Sequence, residues 1–181
     1  MINTSSLLIR PFQEQDGQAL FAYLSNPSVY RFEPGEPVSL EQAKALAAER
    51  SQGTDFWAVI LKSTQVLAGH LYFKQIEPER LMTWELGYIF NPAYHHNGYA
   101  AESASALIQY GFEHFGIHRI VAYCNPENTA SWKLLERIGM RREGCFRKKA
   151  FFRTTEDGSP LWFDAFAYAI LAEEMEALKN L

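Results

Sequence analysis

The chain is short of cysteine, of long apolar runs and of surplus positive charge, and each shortage removes a class of function. Its two cysteines, Cys124 and Cys145, are too few for a disulfide framework. No apolar run is long enough to span a bilayer, and the start lacks the basic-then-apolar order of a signal peptide. The 17 basic residues are outnumbered by 21 acidic ones, and the net charge of −4 argues against a dedicated nucleic-acid binder. Repeats, linkers and low-complexity segments are absent. Of the common phosphate loops there is neither the Gly-Lys-Ser/Thr ending of a P-loop nor the three spaced glycines of a dinucleotide fingerprint. Histidines, cysteines and carboxylates do not fall at metal-ligand spacing. His114 and His118 are separated by Gly116, a helix-ending residue. These absences point to a cytoplasmic protein with no membrane, nucleic acid or metal among its partners.

What is present suits one packed domain over residues 1–181. Hydrophobic residues make up 48% of the chain and aromatics 14%, enough to bury a core and exclude disorder. Ser6 to Arg10 reads as a strand stopped by Pro11, and Asp16 to Leu24 as a helix with Leu20, Phe21 and Leu24 on one face. Asn26 to Ser39 reads as an ordered loop. Ser39 and Gln42 form a capping box that opens a helix to about Arg50. Phe56 to Leu61 and Val66 to Ile76 read as a hairpin, Leu81 to Phe90 as a strand, and Ala100 to Phe115 as a long helix. A strand from Arg119 to Cys124, a helix ending at Gly139, strands over Phe146 to Arg153 and Leu161 to Leu171, and a short polar helix complete the chain. Consecutive strands favour antiparallel pairing, and the β-α-β unit from Trp84 to Cys124 favours one parallel pair. The predicted class is α/β (α+β), with a mixed, mostly antiparallel sheet and helices on both faces.

The most informative stretch is His95-His96-Asn97-Gly98-Tyr99-Ala100, between the strand Trp84–Phe90 and the long helix. The first N–H groups of a helix have no partner within it, and the macrodipole adds positive charge there. Gly98 permits a close backbone approach, and Ala100, Ala101, Ser103 and Ala104 keep the helix start free of bulk. A diphosphate suits such a place; a plain strand–helix connection is the competing reading. A second element follows. Asn125-Pro126-Glu127-Asn128-Thr129-Ala130-Ser131 succeeds a strand and starts another helix, with Asn128 as N-cap and Gly139 as the matching C′ residue.

With both elements in order, the chain resembles the GNAT superfamily of acetyl-CoA-dependent N-acetyltransferases. His95-x-x-Gly98-x-Ala100 matches the Gln/Arg-x-x-Gly-x-Gly/Ala loop at the glycine and alanine, with histidine in the first place. Asn128-x-x-Ser131, Leu134-Leu135-Glu136-Arg137-Ile138-Gly139-Met140, Arg142-Glu143-Gly144, the opening Leu8-Ile9-Arg10-Pro11-Phe12 and the closing Asp164-Ala165-Phe166-Ala167-Tyr168 resemble the branch of the ribosomal-protein N-acetyltransferases RimJ and RimL. The resemblance covers about residues 7 to 172. It implies a GNAT-like fold in which the parallel pair splays apart and the pantetheine arm lies in the gap.

The same resemblance implies acetyl-CoA as co-substrate. His95, His96, Asn97, Gly98, Tyr99, Ala100 and Ala101 would wrap its diphosphate, and Tyr88, Ile89 and Phe90 would pair with the arm through their main chain. A backbone N–H near Phe90 is the candidate oxyanion donor, and Asn128 would contact the arm. Ser131 would hydrogen-bond the leaving sulfur; the tyrosine many relatives carry one turn later is Leu135 here. Glu85, inside an apolar run, is the candidate base, with a structural ion pair as its competing reading. Glu33, Glu36, Glu156 and Asp157 fall in loops that wall the acceptor pocket in such folds. The basic residues Arg137, Arg141, Arg142, Arg147, Lys148, Lys149 and Arg153 read either as a patch for an anion or as solvated faces. Cys124 reads as a small buried hydrophobe rather than a nucleophile. The acceptor amine belongs to a protein N-terminus or to a small molecule such as an antibiotic, polyamine or amino acid. A CoA-binding sensor without catalysis is the third reading. The oligomeric state is open between monomer and homodimer.

Overall fold

The computed structural model describes residues 1–179. In chain order its elements are β1 (Ile2–Asn3), β2 (Leu7–Pro11), α1 (Gly17–Leu24), α2 (Leu40–Ser51), β3 (Phe56–Leu61), β4 (Leu67–Gln75), β5 (Thr83–Phe90), α3 (Tyr99–His114), β6 (Arg119–Cys124), α4 (Thr129–Arg137), β7 (Arg141–Ala150), β8 (Phe163–Leu171) and α5 (Ala172–Lys179). The strands form one sheet of eight in the order β1-β2-β3-β4-β5-β6-β8-β7. Every neighbouring pair is antiparallel except β5 and β6.

Alternation along the strands divides the core between the two faces. Trp57, Val59 and Leu61 of β3 join Leu71 and Phe73 of β4, Leu86 of β5 and Ile120 of β6 on one face. That face is covered by Ala104, Leu107 and Ile108 of α3 and Leu135 of α4. Ala58 and Ile60 of β3 point the other way, onto Leu20, Tyr23 and Leu24 of α1 and Ala43 and Ala47 of α2. Helices therefore lie on both faces, as the pattern predicts. Helices α1 and α2 cover the β2–β4 half of their face. There the buried His70 meets the Tyr23 hydroxyl at 2.6 Å. Burial, with Arg50 nearby, holds that imidazole well below its ordinary pKa.

Local signals place most boundaries. The Ser39–Gln42 capping box is formed in both directions. Asn128 caps α4 by accepting from the Ser131 N–H at 3.2 Å. The sequence expectation misplaces the last hairpin: β7 starts at Arg141 rather than Phe146, and 151–162 form a loop closed by a Thr154–Pro160 bridge. Arg141 to Gly144 show no apolar alternation, because β7 is an exposed edge whose partner, β8, supplies the pairing.

The parallel pair sets up the site. Thr83, Trp84 and Glu85 pair with Arg119, Ile120 and Val121, and pairing stops there. Beyond that rung β5 stays bonded to β4 and β6 to β8. The two strands part, leaving a split bounded by Leu86–Phe90 and Ala122–Cys124.

Candidate active site

The split opens at the end of β5, where the chain turns into α3. Gly98 is the N-cap of α3 at φ 82°, ψ −5°, with no side-chain cap on the first N–H groups. A Cβ at Gly98 would meet nothing within 4 Å. Packing therefore does not demand glycine; the left-handed backbone does, and open space faces the uncapped start of the helix. Asn97 braces the turn by donating from Nδ2 to the carbonyls of His95 (2.9 Å) and Tyr94 (3.2 Å). His95 Nε2 lies 3.1 Å from the Phe90 carbonyl oxygen. A carbonyl only accepts, so Nε2 carries the proton and ties the loop to the strand end. His96 adopts φ 64° in the same turn.

Register decides which backbone groups face the split. The Asn91 N–H donates to the Ala68 carbonyl at 2.9 Å, across the Gly69–Phe90 rung. In an antiparallel ladder that makes Gly69–Phe90 a rung whose own N–H and C=O groups point away from the partner strand. The main-chain groups of Phe90 and, two residues back, of Tyr88 thus turn from β4 towards the split. Ile89 lies between them on the rung with His70 and turns to β4. The expected trio narrows to Tyr88 and Phe90. Ile89 contributes its side chain to the α1/α2 core instead.

Across the split, α4 brings Ser131 to Tyr88. The two hydroxyls stand 2.9 Å apart, and the Tyr88 hydroxyl also reaches the Ser131 carbonyl at 3.2 Å. Burial pushes the Tyr88 phenol far above its ordinary pKa, with the Ser131 hydrogen bond acting in the opposite direction. The phenol is a neutral donor over the working pH range. Sequence reading assigns Tyr88 through its backbone alone and misses this hydroxyl. It notes the absent tyrosine at Leu135, which is buried in the core. The hydroxyl beside Ser131 comes from β5 instead, a pairing no local pattern reveals.

Cys124 ends β6 at the same place. Burial raises its thiol to about 11, opposed by Ser131 and Arg142. A thiol held neutral is not an activated nucleophile, which favours direct transfer over an acyl-enzyme.

Two further carboxyl groups have their pKa values raised by burial. Glu85 occupies the last paired rung. Burial raises its pKa while Lys149 acts against the rise. No hydrogen bond or ion pair of Glu85 occurs among the described residues, so the structural ion pair is not formed. Glu33 lies in the loop between α1 and α2. Burial lifts its carboxyl to about 7.

The basic run is dispersed rather than gathered. Arg141 pairs with Glu143 and Glu174, and Arg119 with Glu143. Arg142 sits over the Phe166 ring at 4.5 Å, and Arg153 donates to the Tyr30 carbonyl at 2.6 Å. Among the described residues no group of histidine, cysteine and carboxylate side chains could hold a metal ion. Nor is any described helix long and apolar enough to cross a membrane.

Residues 6–141 match the family described as the acetyltransferase (GNAT) domain. The chain belongs to the GNAT acetyltransferases. This GNAT chain is 40% identical over 174 residues to YnaD, an uncharacterized N-acetyltransferase of Bacillus subtilis, covering 96% of this chain and 98% of that one. A solved GNAT-family acetyltransferase from Bacillus anthracis superposes with a TM-score of 0.84 at 38% identity, over 95% of this chain and 98% of that one. The ribosomal-protein-S5-alanine acetyltransferase of Vibrio fischeri shares the fold, with a TM-score of 0.80 at 17% identity over 94% and 96% of the two chains. The protein is an N-acetyltransferase, and members of its family use acetyl-CoA. The site fits that co-substrate: space and uncapped N–H groups at Gly98, and main-chain groups of Tyr88 and Phe90 turned into the split.

Proposed function

We propose that this chain, acting as one domain, acetylates the N-terminal α-amine of a protein or peptide in the cytoplasm. The observation that carries the reading is the approach to the split. On the face opposite α3 and α4, a half-open groove of about 340 Å³ runs over β6, β8 and β7, lined by Val121, Tyr123, Phe146 and Ala167. Val121 is the rung partner of Glu85, so the groove borders the last paired rung before the split. A trough across three strands, open to solvent, suits a chain end better than an enclosed small molecule. Two fold neighbours are a ribosomal-protein-S5-alanine acetyltransferase and a ribosomal L7/L12 α-N-protein acetyltransferase. The free thiols of Cys124 and Cys145 suit a reducing compartment.

Acetyl-CoA supplies an activated acetyl thioester when bound. His95 to Ala101 would hold its diphosphate, chiefly through the first N–H groups of α3. The Tyr88 and Phe90 main chain would pair with its arm, alongside Asn128 at the start of α4. The Phe90 N–H donates to the oxygen on which charge develops. The Ser131 hydroxyl would donate to the leaving sulfur, while the Tyr88 hydroxyl, bonded to the Ser131 carbonyl, holds that residue in place. Glu85 lies three residues before Tyr88, about 10 Å along the strand, and acts on the amine through water.

The test is CoA release across three acceptor sets: peptides with a free α-amine, the same peptides N-acetylated but containing lysine, and small amines. Free α-amine peptides should give the highest kcat/KM, by about tenfold or more. Turnover of small amines alone would transfer the assignment to them. Ser131→Ala should lower kcat about tenfold with acetyl-CoA affinity unchanged, since a thiolate leaves readily. A wild-type kcat in the Ser131→Ala, Tyr88→Phe double variant would remove both hydroxyls from the mechanism.

A further inference from the structure

We infer that Lys149 binds a negatively charged group of the acceptor, so that the preferred amine carries a carboxylate or a similar anion a few bonds from its nitrogen. The inference deepens the acceptor reading above and rests on it for the side of approach. Ile120, Ala122 and Cys124 of β6 face the core under α3 and α4, so Val121 and Tyr123 face the other way. There α1 and α2 cover only the β2–β4 half, and the rings of Tyr123 and Phe146 lie open, 41% and 48% exposed, with centroids 6.1 Å apart. Both residues line the groove. Lys149 lays its ammonium over both rings, 5.9 Å from the Tyr123 centroid and 5.3 Å from that of Phe146. Tyr123 stands two residues beyond the last paired rung and one short of Cys124, where the strands have parted.

The backbone bends to put Lys149 there. Phe146 and Lys149 are three positions apart and would take opposite faces of a regular strand. Instead the β7–β8 register shifts between Phe146 and Ala150, Lys148 adopts φ 46°, and the Lys148 N–H donates to the Asp164 carboxylate at 2.8 Å. Irregularities of this kind re-aim side chains. This one brings Lys149 onto the face that carries Phe146.

The other charges around the groove cancel. Arg119 pairs with Glu143, and Arg141 with Glu143 and Glu174, two cations against two anions. Lys149 makes no ion pair or hydrogen bond among the described residues. Ring faces attract an ammonium, but unlike a carboxylate they leave its charge uncancelled. An anion set beside it would also have two apolar rings at its flank, which keep water off and strengthen the pair. Glu85, on the same face through its rung with Val121, supplies the opposite sign. An acceptor with an amine and an anion a few bonds apart matches that arrangement of charge.

The test is the ratio of kcat/KM values for acceptors that differ in charge. Peptides with a free α-amine and either aspartate or lysine in second place form one set; amino acids and their amides form another. In the wild type the anionic member of each set should be preferred by about fivefold, the scale of a partly exposed charge pair. The preference should weaken as salt rises. Lys149→Arg should keep it, Lys149→Met should erase it, and Lys149→Glu should invert it. If no peptide turns over, the peptide reading falls and the amino-acid set carries the same comparison, with the same order expected. A ratio that is equal in the wild type and in Lys149→Glu overturns the inference. A raised KM for acetyl-CoA in that variant, with the acceptor ratio unmoved, overturns it too and gives the ammonium to the cofactor.

Discussion

Gly98→Asp should leave the fold standing and abolish the stabilisation conferred by acetyl-CoA. Gly98 is at φ 82°, and a Cβ there meets nothing within 4 Å. The folded state therefore loses only the strain of a left-handed aspartate, about 1 kcal/mol. The cofactor side loses far more. A side chain fills the space before the helix start, and a carboxylate cancels the positive end of the dipole where the diphosphate belongs. At 100 times its dissociation constant, a ligand that binds only the native state adds about 2.7 kcal/mol. For a chain of this length that raises the melting temperature by about 5–10 °C. The wild type should show this shift, and Gly98→Asp should show none. Gly98→Ala, which adds strain without charge, should fall between. A full shift in the aspartate variant would remove the loop from cofactor binding.

Gly69→Ala should damage stability and binding together. Gly69 lies opposite Phe90 on the rung whose main-chain groups point away from the shared strand interface, where antiparallel strands come closest. A Cβ there would stand 2.6 Å from the Ile89 carbonyl oxygen and 2.8 Å from the Phe90 Cα. Both are backbone atoms in the middle of a sheet, so no flexible tip can move aside. Forcing β4 and β5 apart should cost about 2–3 kcal/mol, at the upper end for overpacking. The melting temperature should fall by about 5–10 °C. Because the displaced atoms belong to the end of β5 that feeds the His95–Gly98 turn, acetyl-CoA affinity should fall too. A stable Gly69→Ala protein with wild-type affinity would show that the end of β5 can shift without disturbing the loop.

The loop and the split were legible in the sequence to different degrees. The turn at Gly98, the Asn128 cap and the Ser39–Gln42 capping box each depend on residues within a few positions of one another, and each forms as the pattern predicts. The parallel pair followed from the β-α-β order. Its limit at three rungs did not, because where pairing stops depends on the twist of β5 with β4 and of β6 with β8. Edge strand β7 was legible only in part, since exposed on both faces it shows no alternation.

By itself the sequence determined what is local: the helix starts, the turns, the order of elements and the residue types at the cofactor loop. Tertiary structure decided which distant side chains share the site. Tyr88 and Ser131 are 43 positions apart and meet through their hydroxyls. Arg153 fastens Tyr30 from 123 positions away. The reason is physical. A cap or turn is satisfied by backbone groups a few bonds away, so its residues carry the signal with them. The meeting of β5 and α4 depends on strand register, on the point where two strands part, and on how helices pack across that point, and no short window of sequence contains those terms.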